Sequence, residues 1–174
     1  MTVTVRLSRD ADAALILDVV KDAFSAPARD ANEEIDIVRS TWVACHPPRL
    51  LELVAHDGQN VVGHVMAAPG DLGGREVPGV APLSVAPERQ GEGIGTALMR
   101  AVIDHAAQRS WPLLLLLGDP AYYERFGFEA AWPLHITYAP AGRHSPNFMV
   151  RRLPRYDPVL RGEFRYCWEI NSGR

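Results

Sequence analysis

The segment Gln90-Gly91-Glu92-Gly93-Ile94-Gly95-Thr96 places three glycines within five residues. It lies between the strand-like Val80-Ala81-Pro82-Leu83-Ser84-Val85 and a helically spaced series, Ile94, Leu98, Ala101, Val102 and His105 or Ala106. A helix that begins here leaves its first backbone N–H groups without intrahelical partners. With the helix dipole behind them, such groups bind an anion. Glycines let phosphate oxygens approach the main chain, where a Cβ at Gly93 or Gly95 would occupy the ligand's place. The chemistry expected of this loop is therefore phosphate binding, against the alternative of a tight turn whose glycines serve packing alone. Two nucleotide loops are excluded, since Gly91-x-Gly93-x-Gly95 is not G-x-G-x-x-G and no Gly-Lys-Ser/Thr follows.

A few other side chains could do chemistry. Tyr122 and Tyr123 stand five and four residues before Gly127 in an aromatic segment that continues to Phe126 and Phe128. Glu33, Glu34 and His64 are proton acceptors by residue type. His64 sits in a strand beside Gly63, which suits a structural histidine better than a base. Glu33 and Glu34 begin a helix, where acids complement the dipole. Asp119 precedes a short helix and is expected to cap it. Cys45 and Cys167 have neither CxxC spacing nor company, so they form no zinc cluster or disulfide framework and are expected as reduced thiols; no metal is expected.

The elements that must position these residues follow from the apolar pattern. Val3, Val5 and Leu7 alternate as a strand, and Ala13, Ile16, Leu17, Val20 and Phe24 recur at helical spacing until Ser25-Ala26-Pro27. Ile35, Val38 and Trp42 mark a second helix that ends before His46-Pro47-Pro48. Leu51-Leu53-Ala55 and Val61-Val65 flank Asp57-Gly58-Gln59-Asn60, a hairpin signal. Ala68 to Gly79 is expected as a Gly- and Pro-containing loop, and the prolines of Val80–Val85 suggest a bulged or splayed strand. After the helix 94–107, Leu113 to Leu117 is apolar at every position, as in a strand covered on both faces. A short helix at 121–126 stops at Gly127, and strands are expected at Phe128-Ala130, Phe148-Arg151 and Phe164-Trp168. The sum is a mixed α/β fold in one domain, 1–174.

Composition bounds the function. A chain of 174 residues, 47% hydrophobic and 22% charged, is long enough for one core and too apolar for a disordered chain. A net charge of −3 offers no field for nucleic acid or an anionic membrane, and the run Arg151, Arg152, Arg155 is best explained as a solvated strand end. The apolar run Trp111–Leu117 is far shorter than the roughly 20 residues that cross a bilayer. The N-terminus lacks the apolar segment of a signal peptide, so a cytoplasmic location is expected.

The stretch Leu83-Ser84-Val85-Ala86-Pro87-Glu88-Arg89-Gln90-Gly91-Glu92-Gly93-Ile94-Gly95 resembles the motif V-x-P-x-x-Q/R-x-x-G-x-G/A of the GNAT acetyltransferase superfamily at every defining position. The family's second motif, an aromatic helix closed by Gly-Phe, is matched by Tyr122-Tyr123-Glu124-Arg125-Phe126-Gly127-Phe128. Leu53-Val54-Ala55, Val61-Val62-Gly63-His64-Val65, Ala81-Pro82-Leu83-Ser84-Val85, Leu117-Gly118-Asp119-Pro120-Ala121-Tyr122-Tyr123 and Phe148-Met149-Val150 are similar to its YhbS-like branch, over nearly the whole chain.

That resemblance implies the GNAT acyl-CoA N-acyltransferase fold, a mostly antiparallel sheet splayed between the fourth and fifth strands with helices on both faces. It implies transfer of acetyl from acetyl-coenzyme A to a primary amine by direct attack. Backbone groups of Gln90, Gly91, Glu92, Gly93, Ile94, Gly95 and Thr96 would hold the coenzyme A pyrophosphate. Leu83, Ser84 and Val85 would pair with the pantetheine arm, with an N–H near Leu83 or Val85 meeting the thioester oxygen. Tyr122, Tyr123 and Phe126 would contact the cofactor, and Tyr123 would protonate the departing thiolate. The Asn that often precedes this helix in the family is absent, with Leu116 in its region. A non-catalytic acyl-CoA binding or sensing module is the rival from another class, and a longer acyl group or a hydroxyl acceptor remains open. The acceptor would be a small-molecule or peptide amine, held by the helix pair near Ala26 to Trp42 and by Trp132 to Asn147. Exposed aromatic C-terminal strands would allow a homodimer.

Overall fold

The computed structural model describes residues 3–25, 31–58 and 60–172, so Ala26, Pro27 and Gln59 lie outside the described residues. Among the described residues nine strands and five α-helices follow in the order β1 (Thr4–Leu7), α1 (Ala13–Phe24), α2 (Ala31–Ala44), β2 (Leu51–Asp57), β3 (Asn60–Leu72), β4 (Arg75–Val85) and α3 (Ile94–Gln108). They continue as β5 (Leu113–Leu117), α4 (Pro120–Tyr123), β6 (Glu129–Ala130), β7 (Ile136–Thr137), β8 (Phe148–Arg152), β9 (Gly162–Tyr166) and α5 (Cys167–Ser172). The chain forms two compact units, residues 1–66 with 82–102, and residues 67–81 with 103–174.

In the first unit β1 pairs antiparallel with β2, Thr4 opposite His56 and Leu7 opposite Leu53. The start of β3 and the end of β4 extend this sheet. An N–H···O bond of 3.0 Å from Ala86 to Val62 fixes their register and, two residues along each strand, sets Ser84 beside His64. Helices α1 and α2 pack on each other, burying Ile16, Val19, Val20 and Val38. Gly63 is a close-approach glycine. A Cβ there would lie 2.9 Å from Ile94 and 3.0 Å from Leu98, so its absence lets α3 lie close on β3.

In the second unit the opening part of β4 pairs parallel with β5 at Gly79–Leu115 and Val80–Leu116, and that ladder stops there. β5 pairs antiparallel with β8 from Leu113–Arg152 to Leu117–Phe148, and β6 lies on the other side of β8. β9 pairs antiparallel with the end of β3, and with β7 in parallel. An apolar cluster of Leu72, Leu113, Leu115, Tyr138, Phe148 and Phe164 forms its core.

The loop expected at Ala68 to Gly79 is instead the end of β3, a two-glycine turn and the start of β4. Gly73 and Gly74, with φ of +57° and +86°, make the turn, and the Asp71 carboxylate accepts from the Gly74 N–H at 3.2 Å. Gly70 and Gly79, which look like loop residues in sequence, are strand positions where Phe164 and Tyr166 occupy the space of a Cβ. The strand expected to run through Trp168 stops at Tyr166, and α5 follows. Phe164 and Tyr166 are buried, which corrects the expectation of exposed aromatic strands and removes the basis on which a homodimer was expected. Among the described residues no helix is long and apolar enough to cross a membrane.

Candidate active site

The glycine loop lies wholly in the first unit. Ser84 turns inward and is 1% exposed, while Leu83 and Val85 on the alternate face are half-buried. Any role of Ser84 toward a ligand must therefore run through its main chain. The parallel ladder to β5 ends at Val80, so no β5 residue pairs with β4 from Ala81 to Val85. The Gln90 side chain donates back to the Val85 carbonyl at 3.2 Å and ties the loop to the strand end, while its backbone N–H, expected among the pyrophosphate donors, is instead taken by the Pro87 carbonyl at 3.3 Å, so the donor row begins at Gly91.

Beyond Gln90 the backbone turns through two left-handed glycines, Gly91 and Gly93, each with φ of +84°. Only glycine adopts this conformation without strain. A Cβ at either would meet nothing within 4 Å, so both face open space. The first bond of α3 runs from the Ala97 N–H to the Gly93 carbonyl at 3.0 Å. The N–H groups of Ile94, Gly95 and Thr96 thus precede the helical ladder and have no intrahelical acceptor. None of Gly91, Glu92 and Gly93 donates its N–H to another described residue. This is a concave backbone donor set at the positive end of a helix of 15 residues. It suits a pyrophosphate.

Arg89 braces the loop from below. Its Nε donates to the Glu92 carboxylate at 3.0 Å and its guanidinium to Asp57 at 3.0 Å. These bonds, the one to Glu92 first, raise its pKa above the ordinary arginine value. The sequence did not reveal this link, because Asp57 looks like a turn residue and Arg89 like a variable motif position.

The aromatic motif lies in the second unit. Asp119 caps α4 as expected, accepting from the Ala121 N–H at 3.0 Å. Gly127, with φ of +77°, ends the following turn. Tyr123 is half-buried, its ring filling the space over Gly118 and standing edge-on to Tyr122 at 4.9 Å and Phe128 at 5.9 Å. Burial, and to a lesser degree Tyr122, push its hydroxyl up to about 12. Tyr122 carries the Arg125 guanidinium over its ring at 4.4 Å. Phe126 is buried. Leu116 is also buried, so it makes no polar contact in the region where the family often has Asn.

His64 is fully buried, as a structural histidine should be. Its Nε2 lies 2.9 Å from Glu52 Oε1, which also accepts from Trp42 Nε1 at 2.9 Å. Glu52 Oε2 accepts from Ser8 at 2.7 Å. Burial works against the Glu52 charge, but the bonds from His64, Ser8 and Trp42 outweigh it and hold the carboxyl below its ordinary pKa. His64 Nδ1 and the hydroxyl of neighbouring Ser84 are buried without partners. The sequence signal for this cluster is a single acid inside the apolar strand Leu51-Glu52-Leu53-Val54. Glu33 and Glu34 lie in the first turn of α2. Cys45 and Cys167 are buried and form no disulfide, and no group of three metal-ligating side chains occurs among the described residues.

A mixed sheet with a short parallel β4–β5 pair, in which β4 feeds a glycine loop and a long helix, defines an acyl-CoA acetyltransferase architecture. Residues 48–130 match the model of the acetyltransferase (GNAT) domain, and the chain belongs to the GNAT N-acetyltransferase family. It is 38% identical over 115 residues to the uncharacterized N-acetyltransferase YhbS of Escherichia coli K12, covering 64% of this chain and 67% of that protein. It is 31% identical to YjhQ of the same organism, another uncharacterized N-acetyltransferase, covering 93% of this chain and 91% of YjhQ. Among solved structures, a GNAT family acetyltransferase from Brucella melitensis in complex with acetyl-CoA superposes with a TM-score of 0.78 at 32% identity, covering 95% of this chain and 96% of that one. YhbS from Escherichia coli in complex with CoA gives a TM-score of 0.82 at 28% identity, covering 97% of this chain and 92% of that one.

Proposed function

We propose that this chain, as one GNAT domain over 1–174, transfers acetyl from acetyl-CoA to a primary amine by direct attack. The observation that carries this reading is the loop at α3, with two left-handed glycines facing open space and a row of free N–H groups. Both structural relatives described above were crystallised with acetyl-CoA or CoA, which supports the same ligand here.

Bound acetyl-CoA supplies an activated carbonyl. The chain's own groups do the rest. The N–H groups from Gly91 to Thr96 hold the pyrophosphate. The main chain of Leu83, Ser84 and Val85 holds the pantetheine arm, and an N–H near Leu83 or Val85 stabilises charge on the thioester oxygen. Tyr123 donates its hydroxyl proton toward the departing sulfur, while Tyr122 and Phe126 support the cofactor.

The raised pKa refines the part of Tyr123. Near 12 it stays protonated throughout the working pH range, so the donor is always ready. Against a thiol of about 8.5, complete transfer is uphill by roughly 3.5 units, or about 5 kcal/mol. Its help is therefore greatest as a hydrogen bond to the forming thiolate, with the proton passing on as the product leaves.

Thiol release from acetyl-CoA across a panel of amines tests the function. Turnover of at least one primary amine is expected. Tight acetyl-CoA binding with no release for any amine or alcohol would point to a non-catalytic binding module instead.

A further inference from the structure

In the second unit, the 3₁₀ turn after β6, β7, the segment that follows it and the start of β9 enclose a cleft of about 520 Å³. Trp132, His135, Thr137, Arg143, His144 and Glu163 line it. Trp132 is 43% exposed, unusual for a large ring, and His144 stands edge-on to it at 5.3 Å. Thr137 and Glu163 are paired across the β7–β9 ladder, so their side chains share one face. Arg143 and Glu163 form no ion pair or hydrogen bond with any described residue, although both border the same cleft.

His135 adds a second kind of evidence. It holds a left-handed conformation, with φ of +58° and ψ of +30°, that most side chains avoid. Its N–H donates to Trp132 O at 3.0 Å and its carbonyl accepts from Gly162 at 2.8 Å. Backbone bonds on both sides thus fix the main chain at His135, which borders the cleft. Such strain persists where the surroundings over-determine it, and it concentrates at binding sites.

We infer that this cleft binds a small zwitterion, an amine that also carries a carboxylate and a flat apolar body, and that this is the acyl acceptor. Arg143 offers the planar fork that pairs with a carboxylate, with His135 and His144 as further donors. Glu163 is the single acid among them and meets the cationic end. The exposed face of Trp132 receives the apolar body. A simple polyamine would meet three groups capable of positive charge and only one carboxylate. The identity of the occupant as acceptor rests on the acetyltransferase reading above.

Three probes separate the elements of recognition: phenylalanine, its primary amide and phenethylamine share ring and amine but differ in the carboxylate. Calorimetry should show phenylalanine binding at least tenfold more tightly than the other two. Arg143→Gln should erase that ratio, and Glu163→Gln should weaken phenylalanine without changing the affinity for 3-phenylpropionate. Phenylalanine should also be acetylated, with KM raised about tenfold in Arg143→Gln and kcat and the KM for acetyl-CoA unchanged. Equal affinity for the three probes, or an unchanged ratio in Arg143→Gln, overturns the inference. So does phenylalanine binding without acetylation while another amine is turned over. Release of no thiol with any amine overturns the transferase reading itself, independently of the binding ratios.

Discussion

Gly93 shows how much one residue can carry. Its φ of +84° excludes most other residues, and the open space beside it is where a phosphate oxygen must come. Gly93→Glu puts a carboxylate there. Calorimetry should find no measurable acetyl-CoA binding in that variant, while its circular dichroism matches the parent and its stability falls by about 1–2 kcal/mol from the left-handed backbone. Tyr123→Phe keeps the packed ring and loses only the hydroxyl. Steady-state kinetics should show kcat lowered about 100-fold with the KM for acetyl-CoA within about twofold. Because Tyr123 titrates near 12, kcat should show no alkaline loss from this group below about pH 11. Folding has the same sign. A pKa raised from 10 to about 12 contributes stability below pH 10 that disappears as pH rises toward 12. At this scale the open glycine loop and the short helix that carries Tyr123 were legible in the sequence, because left-handed glycines and a capped turn need no distant partner. Arg89 with Asp57 was not legible as a pair because the two lie 32 residues apart, and His64 with Glu52, only 12 residues apart, needed the register of β2 on β3, which a turn signal alone does not fix.

At the scale of elements, the cluster of Ser8, Trp42, Glu52 and His64 ties α2 to β2 and β3 and to the residue after β1. Removing His64 leaves a buried carboxylate short of its main partner. His64→Ala should lose about 3–5 kcal/mol in urea unfolding, more than Glu52→Gln. Glu52 has a depressed pKa, so its contribution is present above its ordinary value of 4.5 and is lost as pH falls through the folded value. Unfolding midpoints should therefore drop more steeply below about pH 4.5 in the parent than in Glu52→Gln. Helices α1, α2 and α3 and strand β5 were legible from apolar spacing alone, whereas α5 was not, since Phe164, Tyr166 and Trp168 alternate as a strand would. The end of β3 and the start of β4 were not either, because Pro69, Gly70, Pro78 and Gly79 carry loop chemistry in sequence. Their glycines are required by Phe164 and Tyr166, residues some ninety positions later whose rings fill the space where a Cβ would stand.

At the scale of the molecule, membership of the GNAT family joins what the two units show separately: a phosphate-binding loop in one, and an aromatic motif and a polar cleft in the other. The central claim is that free amides at the start of α3 recognise the pyrophosphate of the acyl donor. Calorimetry comparing acetyl-CoA with S-acetylpantetheine, which keeps the thioester and arm but lacks the pyrophosphate, tests it most directly. At least a hundredfold tighter binding of acetyl-CoA is predicted. Affinities within about threefold of each other would contradict the account.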